Sequence, residues 1–145
     1  MTINVKRTNP YAILPRYATS GAAGMDLSAC LMEAPVVLEP GCRALIPTGI
    51  AVAVPPAHVG LIYARSGLAA KHGIALANGV GVIDCDYRGE VKVALINLGQ
   101  ESVTIQHGER IAQMVITPFV QTQPVEVEEL DDTARGAGGF GSTGV

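Results

Sequence analysis

The segment at residues 81–89 contains the side chains best suited to chemistry, and its sequence is Gly-Val-Ile-Asp-Cys-Asp-Tyr-Arg-Gly. Asp84 and Asp86 are separated by one residue, so an extended chain would present both carboxylates on the same face. A carboxylate beside a bound polyphosphate and a metal ion can orient and deprotonate a water molecule. The alternative is a polar turn between two strands, because Asp and Gly both favour turns.

A second candidate is Arg65-Ser66-Gly67, at the start of a short run of helix-forming residues that ends at Gly73. The N–H groups and the dipole at a helix start attract anions, and Arg65 would add a charged, planar fork. Ser66 could instead cap the helix while Arg65 lies in solvent. The chain has no Gly-x-x-x-x-Gly-Lys-Ser/Thr loop and no Gly-x-Gly-x-x-Gly between a strand and a helix, which disfavours P-loop and dinucleotide-binding folds.

Two carboxamides could recognise a ligand. Asn78 precedes Gly79 in a hairpin-turn signal, and its side chain offers both a donor and an acceptor to the edge of a pyrimidine. Gln113 lies on an otherwise apolar strand and therefore needs a hydrogen-bond partner, supplied either by the protein or by a ligand.

The C-terminal residues 135–145 are rich in glycine and contain one bulky side chain, Phe140. Such a segment cannot form a core and should be mobile when alone. A floppy tail is one interpretation. The other is a grip for a nucleotide, because Arg135, an aromatic ring and a Ser-Thr pair stand among the glycines.

The elements that must position these residues are short strands. Ile50, Val52 and Val54 alternate with alanines, and residues 91–95 alternate in the same way, which is typical of strands with one buried face. Turn signals recur between the strands, among them Pro47-Thr48-Gly49, and favour a sandwich, barrel or jelly roll. A single short helix is predicted at residues 66–73. Further strands are predicted at residues 36–38, 59–63 and 111–116.

Composition limits the remaining function classes. Hydrophobic residues make up 48% of the 145 residues and charged residues only 16%, which is ample for one core and suggests apolar surface hidden in an oligomer. The net charge of -3 without a basic stripe argues against a nucleic-acid partner. Apolar runs are too short for a membrane span, and the N-terminus lacks a secretory signal. We therefore expect a cytoplasmic protein whose three cysteines are ordinary thiols.

Taken together and in order, five segments resemble the five motifs of the trimeric dUTPase family. One departure is visible: the family often has Pro before the second motif, where this chain has Ala64, and Ala can adopt the same backbone. The five segments are Ala-Gly-Met-Asp-Leu at 23–27, Arg-Ser-Gly-Leu-Ala at 65–69, residues 81–89 as given above, Gly-Glu-Arg-Ile-Ala-Gln at 108–113 and the glycine-rich residues 135–144.

The resemblance implies an all-β fold, a jelly-roll-like barrel with one short helix, which assembles as a homotrimer. Residues 1–132 would form the jelly-roll domain and residues 133–145 a mobile arm that closes over an active site shared between subunits. The implied enzyme is a dUTP diphosphatase that hydrolyses dUTP to dUMP and pyrophosphate with Mg²⁺. Such an enzyme keeps uracil out of DNA and supplies dUMP for dTMP synthesis.

The family also implies a role for individual residues. Asp84 would be the general base that activates water for attack on the α-phosphate, and Tyr87 would pack under the deoxyribose and exclude a ribose. Mg²⁺ would be held mainly by the substrate phosphates, and Asp26 would either contact it through water or have a structural role in the first motif. The uracil would be held by Asn78, Val82, Ile83 and the neighbourhood of Lys92. The phosphates would be held by Arg65, Ser66, Gly67 and Gln113. The arm would contribute Arg135, Phe140, Gly141, Ser142 and Thr143, with the phenyl ring stacked on uracil.

Two other functions compete with this one. A dCTP deaminase, or a bifunctional deaminase and hydrolase, has the same fold but needs a carboxylate placed to protonate the cytosine ring. A catalytically silent trimeric β module would only bind partners. The presence of Asp84, Tyr87 and Phe140 favours the dUTPase over both alternatives.

Overall fold

The computed structural model describes residues 1–139, and this part of the chain folds into eleven β-strands and one α-helix. The strands are β1 (Asn4–Arg7), β2 (Arg16–Tyr17), β3 (Met25–Ser28), β4 (Val36–Leu38), β5 (Arg43–Ala53), β6 (His58–Ala64), β7 (Ile74–Leu76), β8 (Gly81–Ile83), β9 (Glu90–Asn97), β10 (Val103–Ile105) and β11 (Arg110–Pro118). The helix α1 spans Ser66–His72.

The strands form three antiparallel sheets. One sheet has the order β1-β5-β9-β7, a second has the order β2-β3-β11-β6-β8, and β10 pairs with β4 alone. Every strand pair is antiparallel. The arrangement confirms the predicted all-β, jelly-roll-like fold. Within the described residues, no helix is both long and apolar enough to span a membrane.

Strand β9 illustrates why the sequence forms a sheet with one buried face. Val91, Val93 and Leu95 are at most 1% exposed, and the residues between them lie partly in solvent. Each such side chain contributes roughly 1.5–3 kcal/mol by leaving water. Asn97, at the end of the strand, is also fully buried, but its side-chain amide donates to the carbonyls of Leu38 and Glu101 at 2.8 Å each. The buried polar group is therefore satisfied.

The predicted turn at Pro47-Thr48-Gly49 is wrong, because these residues form a bulge inside β5. Pro47 lies opposite Lys92 and Ala51 lies opposite Glu90, so three residues of β5 face one residue of β9. Gly49 supplies the positive φ of 68° that this bulge requires. The backbone is irregular at these residues, as the sequence indicated, but β5 continues on both sides of the bulge instead of reversing direction.

The predicted short helix is confirmed, but Ser66 does not cap it. Arg65 occupies the cap position with extended backbone, and no side chain bonds to the first turn. The helix ends at Gly73, whose φ of 70° is left-handed and whose N–H donates to the Ala69 carbonyl at 3.0 Å. Because Ser66 is the first helical residue, its hydroxyl remains exposed at the helix start.

Candidate functional site

Asp26, Arg65 and Arg110 form an ion-paired group that we call the arginine cluster. The guanidinium Nε of Arg65 lies 3.1 Å from Asp26 Oδ1, and a terminal nitrogen of Arg110 donates to Asp26 Oδ2 at 3.0 Å. The Asp26 side chain is only 12% exposed. Strand β11 lies between β3 and β6, and this order brings the three residues together from distant parts of the sequence.

The charges of the arginine cluster do not balance. Two guanidinium groups share one carboxylate, so one positive charge is available to an anion. The guanidinium of Arg65 also donates to the main-chain carbonyl of Arg110 at 3.1 Å, which fixes its orientation. A cleft of about 550 Å³ opens beside the cluster and is lined by Arg65, Arg110 and the inner face of α1 at Leu68 and His72. The cluster is therefore preformed for phosphate or another anion.

Gln113 lies beside the arginine cluster and has a partner within the protein. Its side-chain amide donates to the Ala64 carbonyl at 3.2 Å, and its register places it opposite Asp26. Gly24 approaches it closely, because a Cβ there would lie 2.7 Å from the Gln113 side-chain oxygen. The phosphate-binding residues predicted from the sequence, Arg65, Ser66, Gly67 and Gln113, thus gather at one end of β6.

The second region is a cleft of about 430 Å³ formed around the loop that joins β8 to β9, which we call the hairpin cleft. Asp84 lies at its exposed mouth, and no hydrogen bond or ion pair of residues 1–139 engages that carboxylate. The lining residues are Leu45, Val82, Ile83, Asp84, Tyr87, Glu90 and Lys92.

Local hydrogen bonds give this loop its shape. The Tyr87 N–H donates to the Asp84 carbonyl at 3.2 Å, and the Tyr87 hydroxyl donates to the Glu90 carbonyl at 3.0 Å. The guanidinium of Arg88 donates to the carbonyls of Cys85 and Tyr87 at 2.8 Å each. These hydrogen bonds join residues of the same loop. Because the Tyr87 hydroxyl bonds to Glu90, the Tyr87 ring lies against the start of β9.

Gly89 is needed for that ring position. A Cβ at residue 89 would collide with the hydroxyl and ring carbons of Tyr87. The absence of a side chain at this position therefore lets the phenol fold back across the loop and form one wall of the hairpin cleft.

Other predicted site residues lie outside the two regions. Asn78 is exposed in the turn between β7 and β8, and its carbonyl accepts from the Val80 N–H at 2.8 Å. Arg135 forms a local turn in which its Nε donates to the Gly138 carbonyl at 2.8 Å. The predicted arm residues Phe140, Gly141, Ser142 and Thr143 lie outside the described residues.

The two regions of one chain lie far apart. Ile83, just before Asp84, pairs with Gly60 on β6, whereas Arg65 follows the other end of that strand. Five residues of extended chain separate Gly60 from Arg65, which corresponds to roughly 17 Å. The hairpin cleft and the arginine cluster of one chain are therefore separated by about five residues of strand β6.

Three contributors to these regions were missed in the sequence. Arg110 was part of a recognised motif without a role, although a basic residue at a strand start after Gly108-Glu109 could have indicated one. Glu90 could have been found from its two-residue spacing to Lys92, which places both on one face of a strand. Leu45 gave no local signal, because its place in the cleft depends on the pairing of β5 with β9.

The side chains that could hold a metal ion are sparse in the described part of the chain. Among residues 1–139, no three His, Cys, Asp or Glu side chains lie close enough to share a metal ion. The Asp26 oxygens are each engaged by an arginine. A metal ion in this site would need most of its ligands from a bound substrate.

Comparison with known proteins gives a consistent match over almost the whole chain. The dUTPase family profile matches residues 10–144. The deoxyuridine 5'-triphosphate nucleotidohydrolase of Anaeromyxobacter sp. (strain Fw109-5) is 52% identical, over 99% of this chain and 98% of that protein. The enzyme of the same name from Desulfotalea psychrophila is 57% identical, over 91% of this chain and 87% of its own length.

Solved structures agree with the sequence comparisons. The dUTPase of Staphylococcus bacteriophage 80alpha with dUPNHPP superposes with a TM-score of 0.89 at 31% identity, covering 99% of each chain. A variant dUTPase from phage phi11 of S. aureus, whose structure describes the coordination of a structural Mg(II) ion, has a TM-score of 0.79 at 26% identity. That match covers 89% of this chain and 98% of the phage protein.

Proposed function

The chain belongs to the dUTPase family and hydrolyses dUTP, and we propose that it does so with a water molecule activated by Asp84. The observation that carries this proposal is the position of the Asp84 carboxylate, which is exposed at the mouth of the hairpin cleft and is engaged by none of residues 1–139. In the proposed step, Asp84 takes a proton from water as the water oxygen attacks the α-phosphorus. The bond from that phosphorus to the bridging oxygen breaks, which releases dUMP and pyrophosphate.

The hairpin cleft is proposed to hold the nucleoside. Strand β8 is an edge strand, paired with β6 on one side only, so main-chain groups of Val82 and Ile83 remain available to the uracil edge. Asn78 and Lys92 would approach the base from the flanking turn and from β9. Tyr87 would lie under the deoxyribose, where a 2′-hydroxyl would meet the ring.

The phosphates are proposed to bind at the arginine cluster and the start of α1. Arg65 and Arg110 leave one positive charge uncompensated by Asp26, and Ser66 and Gly67 expose N–H groups at the helix start. The charge and the hydrogen-bond donors both favour an oxygen-rich anion. Gln113 would add a donor from the adjacent strand.

The distance between these two regions supports an active site shared between chains. Base and phosphates of one nucleotide would reach the hairpin cleft of one copy and the arginine cluster of another. A homotrimer with three such sites would also cover Leu45 and Val82, which are 60% and 59% exposed here. Residues 133–145 of a further copy would then close over the nucleotide, with Arg135 and Phe140, Gly141, Ser142 and Thr143 contacting it.

Mg²⁺ fits this site as an ion brought largely by the substrate. Mg²⁺ commonly takes one or two carboxylates together with substrate phosphates and water, and the described residues offer no denser set of carboxylates. Asp26 would contact it through water, because both carboxylate oxygens already accept from arginines. When bound, the ion neutralises phosphate charge. In the cytoplasm, the activity would remove dUTP before it enters DNA and supply dUMP for dTMP synthesis.

Hydrolysis in ¹⁸O-labelled water tests the proposed site of attack. With dUTP and Mg²⁺, we expect the label in dUMP and none in pyrophosphate, because the α-phosphorus accepts the water oxygen. Label in the pyrophosphate would exclude attack at that atom. A parallel panel of UTP, dTTP and dCTP should release little pyrophosphate, and ammonia from dCTP would instead indicate a deaminase.

A further inference from the structure

We propose that Glu90 is a positioning residue that holds Lys92 over the hairpin cleft from the bulge of β5. The inference rests on the proposed function of that cleft in binding the base. Glu90 lines the cleft together with Lys92, and its carboxylate contacts both that lysine and the bulge of β5.

One oxygen of the Glu90 carboxylate is held firmly by the bulge. Oε1 accepts from the Gly49 N–H at 2.8 Å. Gly49 itself has little freedom, since a Cβ there would lie 2.8 Å from both the Ala12 and Cys30 side chains. Its carbonyl accepts from the Thr8 N–H at 2.8 Å. The bulge therefore provides a rigid anchor for the carboxylate.

The other oxygen faces Lys92. Glu90 and Lys92 are two residues apart on β9 and point to the same side, away from the buried Val91 and Val93. The Lys92 Nζ lies 3.8 Å from Glu90 Oε2, and the Lys92 side chain is 46% exposed. Exposed ion pairs contribute little to stability, so the consequence of this pair is the direction in which the lysine extends.

The fixed carboxylate draws a flexible ammonium group towards the cleft. Without it, the four-carbon stem of Lys92 would carry its charge freely into solvent. With it, the ammonium stays beside the wall formed by Tyr87 and Ile83, where it can donate to a carbonyl oxygen of a bound pyrimidine. Glu90 thus acts through Lys92 and has no contact with the reacting phosphorus.

The Glu90 main chain makes a separate contact that the side chain does not control. Its carbonyl accepts from the Tyr87 hydroxyl at 3.0 Å, and every substitution of the side chain leaves this acceptor in place. A change in the Glu90 carboxylate should therefore alter Lys92 without altering the ring that is proposed to exclude a ribose. Binding of dUTP and discrimination against UTP should then respond differently.

The test is a double-mutant cycle of Glu90→Gln and Lys92→Met, measured on dUTP hydrolysis with Mg²⁺. The glutamine keeps an oxygen for the Gly49 N–H but loses the charge. We expect Glu90→Gln to raise KM about fivefold at nearly unchanged kcat, with the preference for dUTP over UTP preserved. The double variant should match Lys92→Met alone, because Glu90 acts through that lysine. Glu33→Gln, an equal change of charge at an exposed residue, should leave KM unchanged.

Multiplicative effects in the double variant, or an unchanged KM in Glu90→Gln, would overturn the inference. If Glu90→Gln does not fold, Lys92→Arg decides: it keeps the ion pair and should keep KM, and equal losses in Lys92→Arg and Lys92→Met would overturn the inference. The proposed general base is tested separately by Asp84→Asn. Loss of turnover there with an unchanged KM in Glu90→Gln would remove only the role of Glu90.

Discussion

The arginine cluster is assembled from three segments that are far apart in sequence, whereas the hairpin cleft comes mostly from one continuous stretch of chain. Asp26, Arg65 and Arg110 meet because β11 lies between β3 and β6. The loop at residues 84–89 is shaped by hydrogen bonds among its own members. The first region depends on the sheet, and the second depends on its local sequence.

The two regions also differ in how their charges are satisfied. In the arginine cluster every Asp26 oxygen has a partner, so the groups are held in place before a ligand arrives. In the hairpin cleft the Asp84 carboxylate is exposed and engages no described residue. This contrast is typical of a division between binding and reaction. In the proposed mechanism, the oriented cations would hold an anion, while the group that would accept a proton stays accessible to water.

The largest effect is expected at the unengaged carboxylate. Asp84→Asn removes the proposed base but keeps the shape of the side chain, so kcat should fall roughly 10²–10⁴-fold with dUTP still bound. Single-turnover assays and equilibrium binding of a non-hydrolysable analogue measure the two quantities. Asp86→Asn in the same loop is the matched control and should retain most activity. Near-normal turnover of Asp84→Asn would assign the base to another group.

Removal of residues 135–145 tests whether this segment is needed, in addition to the arginine cluster and the hairpin cleft, to form a working active site. The residues before this segment, 118–134, are exposed and, after Pro118, lie outside every strand, so the fold and its assembly should survive. Loss of substrate alignment should reduce kcat/KM roughly 10²-fold. Sedimentation and thermal melting provide the control for assembly. A truncated chain that falls apart would make this segment structural.

Asp26→Asn breaks the arginine cluster from its centre. Asparagine replaces one of the two acceptor oxygens by an NH2 donor that would face a guanidinium, and the two cations would then lie close together without a counter-charge. We expect the free energy of unfolding to fall by about 1–2 kcal/mol, a modest value because both arginines are partly exposed. The KM for dUTP should rise roughly tenfold as Arg65 loses its orientation. Glu33→Gln again controls for charge, and unchanged stability would mean that the ion pairs are weak in solution.

Gly89→Ala perturbs the hairpin cleft without touching a charge. The added Cβ would displace the Tyr87 ring, so discrimination against UTP should fall about tenfold while the fold is kept. The ratio of kcat/KM for dUTP to that for UTP measures the effect. Gly21→Ala is the matched control, because a Cβ there meets nothing within 4 Å and residue 21 lines neither region. An unchanged ratio in Gly89→Ala would separate Tyr87 from sugar selection.

The sequence was sufficient for what is local. Three features depend on fewer than ten consecutive residues each, and the sequence predicted them with nearly correct bounds. They are the alternation in β9, the helix α1 and the loop around Asp84. Strands β1, β2, β3, β7, β8 and β10 have four residues or fewer and carry little periodicity. Their existence depends on partners elsewhere in the chain. Strand β4 is equally short, but its three consecutive apolar residues just before a Pro-Gly turn signal made it recognisable.

The contacts that join distant segments could not be obtained in this way. Nothing near Asp26 indicates that Arg65 and Arg110 will share its carboxylate, because their meeting follows from strand order. The residues of the bulge at Gly49 predict a turn, since Pro, Thr and Gly have the same local preferences in turns and in bulges. Only the pairing with β9 distinguishes a bulge from a turn here. It shifts in register between Pro47 and Ala51, and Glu90 accepts a hydrogen bond from the Gly49 N–H.

The smallest expected effect concerns the thiols, which report on how tightly each part of the molecule is packed. Burial, together with the negative charge of Glu90, raises the pKa of Cys30. A raised pKa lowers the thiolate fraction near pH 8, so alkylation of Cys30 should be slower than that of the exposed Cys42. Cys85, half-buried in the loop of the hairpin cleft, should react at an intermediate rate.

Mass spectrometry of iodoacetamide-treated protein gives the order of alkylation. Glu90→Gln should slightly increase the alkylation rate of Cys30, because it removes one cause of the raised pKa. Reaction of Cys30 before Cys85 would mean that the bulge region opens more readily than the loop, contrary to the anchor proposed for Glu90.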